Sequence, residues 1–281
     1  MGIKVTKMQG CGNDFVILDY IEFQKLGIEM SEAAKMLCDR NFGIGADGMI
    51  IPNLNTEETD IGWFFYNSDG TTAQMCGNGI RCFAKYVFDK GYISKKEFTV
   101  NTLAGVITPR LLDDGQVKVN MSKPILQPNE IPFIPANNLN YKISAGDMIF
   151  EGNAVSMGNP HFVIFVSPED NTLELAKKYG PIIETSFEFP EKTNVEFIKI
   201  KSLNKIELRV WERGCGITLA CGTGACASVV AGILNGKIEN SVDVELLGGV
   251  VHIDWDGRIN DTNHDVYMTG PAEYVYTAEL Y

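Results

Sequence analysis

The chain has 281 residues, 45% hydrophobic and 21% charged, enough apolar material for one large core or two medium ones. Its formal net charge of −12, from 24 Lys and Arg against 36 Asp and Glu, excludes a nucleic-acid surface built on clustered cations and points to a small partner. No apolar run reaches the roughly 20 residues that span a bilayer, residues 1–9 lack the basic-then-apolar order of an export signal, and seven cysteines, an odd number, fit reduced thiols in the cytoplasm.

The first predicted strand is residues 16–18, and a helix follows at 31–39, with Ser31 placed to cap its first turn. Residues 63–66 read as a strand. After the turn Cys76-Gly77-Asn78-Gly79, apolar residues Ile80, Phe83, Ala84, Val87 and Phe88 fall at i, i+3, i+4, i+7 and i+8 before Gly91, the signature of a helix with a glycine stop. A strand at 117–119 precedes the Pro-rich stretch 123–135, and further strands are predicted at 162–166 and 206–211. The turn Cys221-Gly222-Thr223-Gly224 opens a second helix, in which Ala225, Cys226, Val229, Val230, Ile233 and Leu234 run to Gly236 with few polar residues on any face; this helix is expected to be enclosed. Residues 250–253 form another strand.

The chain repeats itself. Gly12-Asn13 returns as Gly158-Asn159, 146 residues on; Cys76-Gly77-Asn78-Gly79 returns as Cys221-Gly222-Thr223-Gly224, 145 on; Tyr66-Asn67 aligns with Trp211-Glu212 and Gly105-Val106 with Gly249-Val250 at nearly the same spacing. The order and offset together indicate a duplication. The expected architecture is an α/β protein of the α+β type with two pseudosymmetric domains, each wrapping strands around a central helix. Residues 1–122 form the first, joined by the C-terminal segment 271–281, and residues 123–270 form the second.

Both repeated turns place a cysteine where a glycine-rich loop meets a helix start. Free N–H groups and the helix dipole favour negative charge there, so each thiol is expected to ionise more readily than an ordinary cysteine. The glycines that follow let N–H groups close on a carboxylate. Two such turns from one duplication suit inversion at carbon, which needs a base on one face and an acid on the other. Zinc on Cys215, Cys221 and Cys226 is disfavoured by spacing and by the presence of only three histidines. A Cys–His nucleophilic enzyme with His161 as base leaves the second turn unexplained. The remaining cysteines, Cys11, Cys38, Cys82, Cys215 and Cys226, read as packing residues.

At these motifs the sequence resembles the diaminopimelate epimerase family along nearly its whole length. The matching segments are Gly12-Asn13-Asp14-Phe15, Gly43-Ile44-Gly45-Ala46-Asp47-Gly48, Asn67-Ser68-Asp69-Gly70, Met75-Cys76-Gly77-Asn78-Gly79-Ile80-Arg81-Cys82, Met157-Gly158-Asn159-Pro160-His161, Trp211-Glu212-Arg213-Gly214 and Ala220-Cys221-Gly222-Thr223-Gly224-Ala225-Cys226. The resemblance implies a cofactor-independent, metal-free epimerase in lysine biosynthesis, a homodimer interconverting LL- and meso-diaminopimelate. It implies that Cys76 and Cys221 are the acid–base pair, with His161 and Glu212 tuning their protonation. Gly77-Asn78 and Gly222-Thr223 would hold the reacting carboxylate. Asn13, Asn67, Asn159, Asn194, Glu212 and Arg213 would bind the rest of the substrate, Arg213 gripping the distal carboxylate. Gly48, where some members carry Gln, with Gln9, Cys215 and Ile217, departs from the family pattern and leaves room for a two-thiol racemase of another amino acid such as proline or histidine. A binding or metal-holding protein with structural cysteines is the alternative from another class.

Overall fold

The computed structural model describes residues 2–281. The chain divides into two compact units, one comprising the N-terminal part to Val119 with Thr269–Tyr281, the other Asn120–Met268. The first part of the chain forms β1 (Ile3–Gly10), β2 (Asn13–Ile17), α1 (Tyr20–Gln24), α2 (Met30–Cys38), β3 (Gly48–Asn53), β4 (Ile61–Asn67), α3 (Gly77–Asp89), β5 (Val100–Thr102), β6 (Gly105–Ile107), β7 (Pro109–Leu111) and β8 (Val117–Asn120). Next come β9 (Tyr141–Ala145), β10 (Met148–Ser156), β11 (Pro160–Phe165), α4 (Thr172–Glu184), β12 (Asn194–Ser202), β13 (Lys205–Glu212), β14 (Gly216–Ile217), α5 (Gly222–Leu234), β15 (Ser241–Glu245), β16 (Val250–Trp255) and β17 (Val266–Gly270). The closing strand β18 (Glu273–Leu280) lies in the first unit, antiparallel to β1.

The sheet of the first unit runs β18-β1-β2-β3-β4-β5-β6; in the larger sheet of the second, the run β9-β10-β11-β12-β13-β15-β16 follows the same order before β17 continues it. Their registers repeat as well. Strands β2 and β3 are parallel with Phe15 opposite Gly48, and β11 and β12 are parallel with His161 opposite Asn194, so both partners advance by 146 residues (161 minus 15, 194 minus 48). Parallel neighbours need a crossover, and α2 and α4 supply it. A second crossover, α3 or α5, links β4 to β5 and β13 to β15, again parallel pairs.

Helix α3 buries Ile80, Phe83, Ala84 and Val87, four of the five residues its periodicity singled out, against β1, β2 and β3; the fifth, Phe88, is half-buried. Helix α5 is enclosed on nearly every side, because Ala225, Ala227, Ser228, Ala231 and Gly232 let β10, β11 and β16 approach closely. Each buried Val, Ile, Leu or Phe in these helices contributes about 1.5–3 kcal/mol.

Two sequence expectations are corrected here, and one helix was not foreseen. Ser31 does not cap α2, whose N-cap is Glu29; the Ser31 hydroxyl instead donates to the Gly70 carbonyl at 2.7 Å. Cys215 is exposed rather than packed, whereas Cys11, Cys38, Cys82 and Cys226 are buried. Helix α4 escapes sequence reading because Gly180 and Pro181 interrupt it. Gly180 is there for packing, since a Cβ at that position would stand 2.4 Å from the Cβ of Trp211.

Candidate active site

Each unit carries one half of the sequence-predicted site. In the first, β1 turns into β2 through Cys11 and Gly12, at φ 52° and 83°, a two-residue hairpin turn that needs positive φ at both positions. The turn sets Asn13 at the head of β2. Its Oδ1 accepts from the Cys76 thiol at 3.3 Å and from Asn78 Nδ2 at 3.2 Å, while its Nδ2 donates to Asp47 Oδ2. Cys76 is the extended N-cap of α3, and its carbonyl takes the first helical hydrogen bond, from Ile80 at 2.9 Å.

Arg81, fully buried one turn into α3, ties this half together. It donates to the Gly77 carbonyl at 3.1 Å, Asn78 Oδ1 at 2.9 Å and the Pro271 carbonyl at 3.0 Å. Asp14 and Asp47 receive Arg40, and Lys7 pairs with Asp14 at 2.7 Å. Burial works against ionisation of Asp14, but hydrogen bonds from Arg40 and Lys7 outweigh it and hold its carboxyl below the usual range. Asn67 ends β4, exposed, with Nδ2 donating to Thr71 Oγ1 at 3.0 Å.

In the second unit, Cys221 is the N-cap of α5, 5% exposed, and its sulfur accepts from the Gly224 N–H at 3.4 Å and lies 3.5 Å from Thr223 Oγ1. His161 on β11 and Glu196 on β12 are fully buried beside it, with His161 Nδ1 2.7 Å from Glu196 Oε1 and Nε2 3.1 Å from Asn159 Oδ1. One ligating atom each of His161, Glu196 and Cys221 falls within 4.8 Å of the others. This cluster does not include Cys215 or Cys226, and within it His161 Nδ1 is already engaged by Glu196 Oε1.

Glu212 ends β13 and accepts from the Thr218 hydroxyl. Asn194 is nearly sealed, its Nδ2 donating to the Pro160 carbonyl at 2.8 Å and its Oδ1 accepting from the Arg213 N–H at 2.9 Å, so it fixes the backbone that presents Arg213. The Arg213 side chain is exposed and donates to the Glu191 carbonyl at 3.1 Å. Glu184, at the end of α4, accepts from Trp211 Nε1 at 2.7 Å and Gly214 N–H at 2.9 Å, tethering both sides of the Glu212-Arg213 turn. Sequence reading missed Arg81, Glu184 and Glu196 as supports. Arg81 lay inside a quoted motif and Glu196 inside the short family match Asn194-Val195-Glu196-Phe197, without a role being assigned to either; Glu184 carried no pattern.

The expectation of a readily ionised thiol fails at Cys221. Burial pushes this thiol well up, and the charges of Glu212 and Glu196 push it further; the Thr223 and Gly224 hydrogen bonds offset only part. Burial likewise raises the Glu212 and Glu196 carboxyls, against the pull of Thr218 and His161 respectively. One helix start is therefore outweighed by desolvation and two acids. Gly48 is explained by packing: a Cβ there would meet Phe65 Cε2 and the Tyr66 carbonyl, each at 2.8 Å, so this backbone leaves no space for the Gln some members carry.

The sequence profile of diaminopimelate epimerase matches the chain twice, at residues 5–127 and 153–275. The chain belongs to the diaminopimelate epimerase family. A diaminopimelate epimerase from Carboxydothermus hydrogenoformans is 48% identical over 99% of this chain and 100% of its own, and one from Trichodesmium erythraeum is 46% identical over 97% of each. In fold, the chain is similar to a hydroxyproline epimerase from Agrobacterium vitis, with a TM-score of 0.68 at 11% identity over 99% of this chain and 92% of that one. It is equally similar to a phenazine biosynthesis protein of the PhzF family from Bacillus anthracis, TM-score 0.68 at 14% identity over 100% and 99%. Both likenesses are of fold alone. Among the described residues, no helix is long and apolar enough to cross a membrane.

Proposed function

We propose that this chain interconverts LL- and meso-diaminopimelate by two-base proton transfer between Cys76 and Cys221, without a cofactor. The observation that carries the reading is the repeated cysteine N-cap, one per unit, in a chain 48% identical to a protein of that name. The reaction requires a thiolate on one face of the α-carbon and a thiol on the other. The thiolate takes the α-proton, the electron pair is held in the carbanion and its carboxylate, and the thiol returns a proton to the opposite face, which leaves the two sulfurs with exchanged roles. Burial favours the protonated form of Cys221, which suits it to the acid's part. N–H groups at the starts of α3 and α5, from Gly77, Asn78, Gly222 and Thr223, would meet the developing charge.

Each unit is then one epimerase half. Asn13, Asn67, Asn159, Glu212 and Arg213 would bind the polar ends of the substrate, Asn194 by holding Arg213. His161 and Glu212 would adjust the thiols. A cytoplasmic homodimer completes the reading. Replacing either thiol, Cys76→Ala or Cys221→Ala, is expected to lower epimerase kcat about a thousandfold or more while circular dichroism stays unchanged. Retained turnover in either variant defeats the two-thiol mechanism. If the cysteines are instead structural, both variants lose stability and the parent protein shows no turnover. Light scattering is expected to give twice the 31.0 kDa chain mass, and a single-chain mass rejects the dimer.

A further inference from the structure

The two half-sites, matched by the duplication, differ at one place beneath the helix starts. Gly79 in α3 and Gly224 in α5 are equivalent positions, 145 residues apart. A Cβ on Gly79 would touch the ring of Phe15 at 3.4 Å; a Cβ on Gly224 would meet Glu196 Oε1 at 2.8 Å and Cys221 Sγ at 3.2 Å. The strand registers give the same correspondence, since Phe15 and Ile50 occupy the places of His161 and Glu196 at the common offset of 146. Phe15 therefore lies beneath one turn, with Ile50 at the strand position that matches Glu196, whereas a buried His–Glu pair lies beneath the other.

A fully buried carboxylate is expensive unless its oxygens are paired. Glu196 Oε1 is 2.7 Å from His161 Nδ1, while Oε2 has no hydrogen-bond partner among the described residues. Folding gains nothing from that orphan oxygen, and an Ile of the kind found at position 50 would fill the space without it. The retained charge is explained by what it does to its neighbours. We propose, building on the two-thiol reading, that Glu196 is a positioning residue for the Cys221 half-reaction: it aligns the imidazole of His161 and sets a buried negative charge beside Cys221, so that this half of the enzyme keeps the proton it must deliver.

The groups facing Cys221 are Glu196 on β12, Glu212 at the end of β13, and Thr223 with the Gly224 N–H on α5, with His161 on β11 against Glu196. Removing one of the two carboxylate charges eases thiolate formation. The test is alkylation of Cys221 by iodoacetamide across pH, read by peptide mass spectrometry, together with kcat and KM. It needs no turnover, so it fails or succeeds apart from the assigned reaction.

Glu196→Gln keeps the contact to His161 and loses the charge. Cys221 alkylation at pH 7 is expected to rise about tenfold, and kcat to fall with KM held. Glu196→Asp keeps the charge but draws it back from the ring, and is expected to restore the slow alkylation. An unchanged alkylation curve in folded Glu196→Gln overturns the proposal, even if kcat drops, because a merely structural Glu196 would give that result. Should Glu196→Gln fail to fold, His161→Gln leaves the carboxylate without its ring; slower alkylation of Cys221 supports the proposal, and an unchanged rate overturns it.

Discussion

The chemistry at Cys221 is decided by three effects of different size. The N-terminus of α5 favours the thiolate through the Gly224 N–H and the helix dipole, an effect worth about 0.3–1 kcal/mol at most helix ends. Desolvation of a residue only 5% exposed and the fields of Glu212 and Glu196 oppose it and win. A cysteine at a glycine-rich helix start is thus no guarantee of a reactive thiolate, because the strands behind the helix set the balance. The same burial governs thiols outside the site: Cys38 and Cys82 are pushed up to about 12 by burial. Their raised values mean that the folded state holds its protons while the unfolded chain, with thiols near 9.0, releases them. The thiol contribution to stability is therefore full below pH 9 and lost as pH rises from 9 towards 12. The thermal midpoint is expected to fall steadily over that range, and less so in a Cys82→Ala variant measured relative to its own midpoint at pH 8. Equal slopes in parent and variant would show that the buried thiol is not the cause.

At the scale of elements, the two cysteine turns and the helices behind them were legible in the sequence because their signals are local. Apolar spacing after Cys76 and Cys221 marks α3 and α5, and most residues the periodicity names are buried, Phe88 and Ile233 being half-buried. Helix α4 was not legible, since Gly180 and Pro181 read as breakers and only contact with Trp211 explains the glycine. The supports of the site were hidden for a related reason. Glu196 looks like any acid in a strand until β11 lies beside β12, and Arg81 looks like a surface residue until Pro271, 190 positions away, accepts from it. Gly48 shows the converse, a departure from family pattern that invites a functional explanation and has a steric one. Gly48→Gln is expected to destabilise the protein by about 1–3 kcal/mol in urea unfolding, because Tyr66 O is backbone on the neighbouring strand and cannot give way. Parental stability in this variant would mean that β3 shifts freely and that the packing account of Gly48 is wrong.

For the molecule as a whole, the duplication organises everything else. Sheet order, parallel crossovers, helix starts and the family profile all recur at nearly one offset. A chain that carries the same cysteine turn twice would, under the proposed mechanism, have a base and an acid of one chemical kind, which is what inversion in both directions demands. The two halves part beneath the helix starts, where one has a His–Glu pair and the other has Phe15 with Ile50 at the matching places. The most direct measurement is incubation of the purified protein with LL-diaminopimelate in heavy water, with no cofactor added. The account predicts deuterium at the α-carbon and conversion towards a mixture with the meso form. Absence of both deuterium and conversion, with Cys76 and Cys221 still titrating as free thiols, would contradict it.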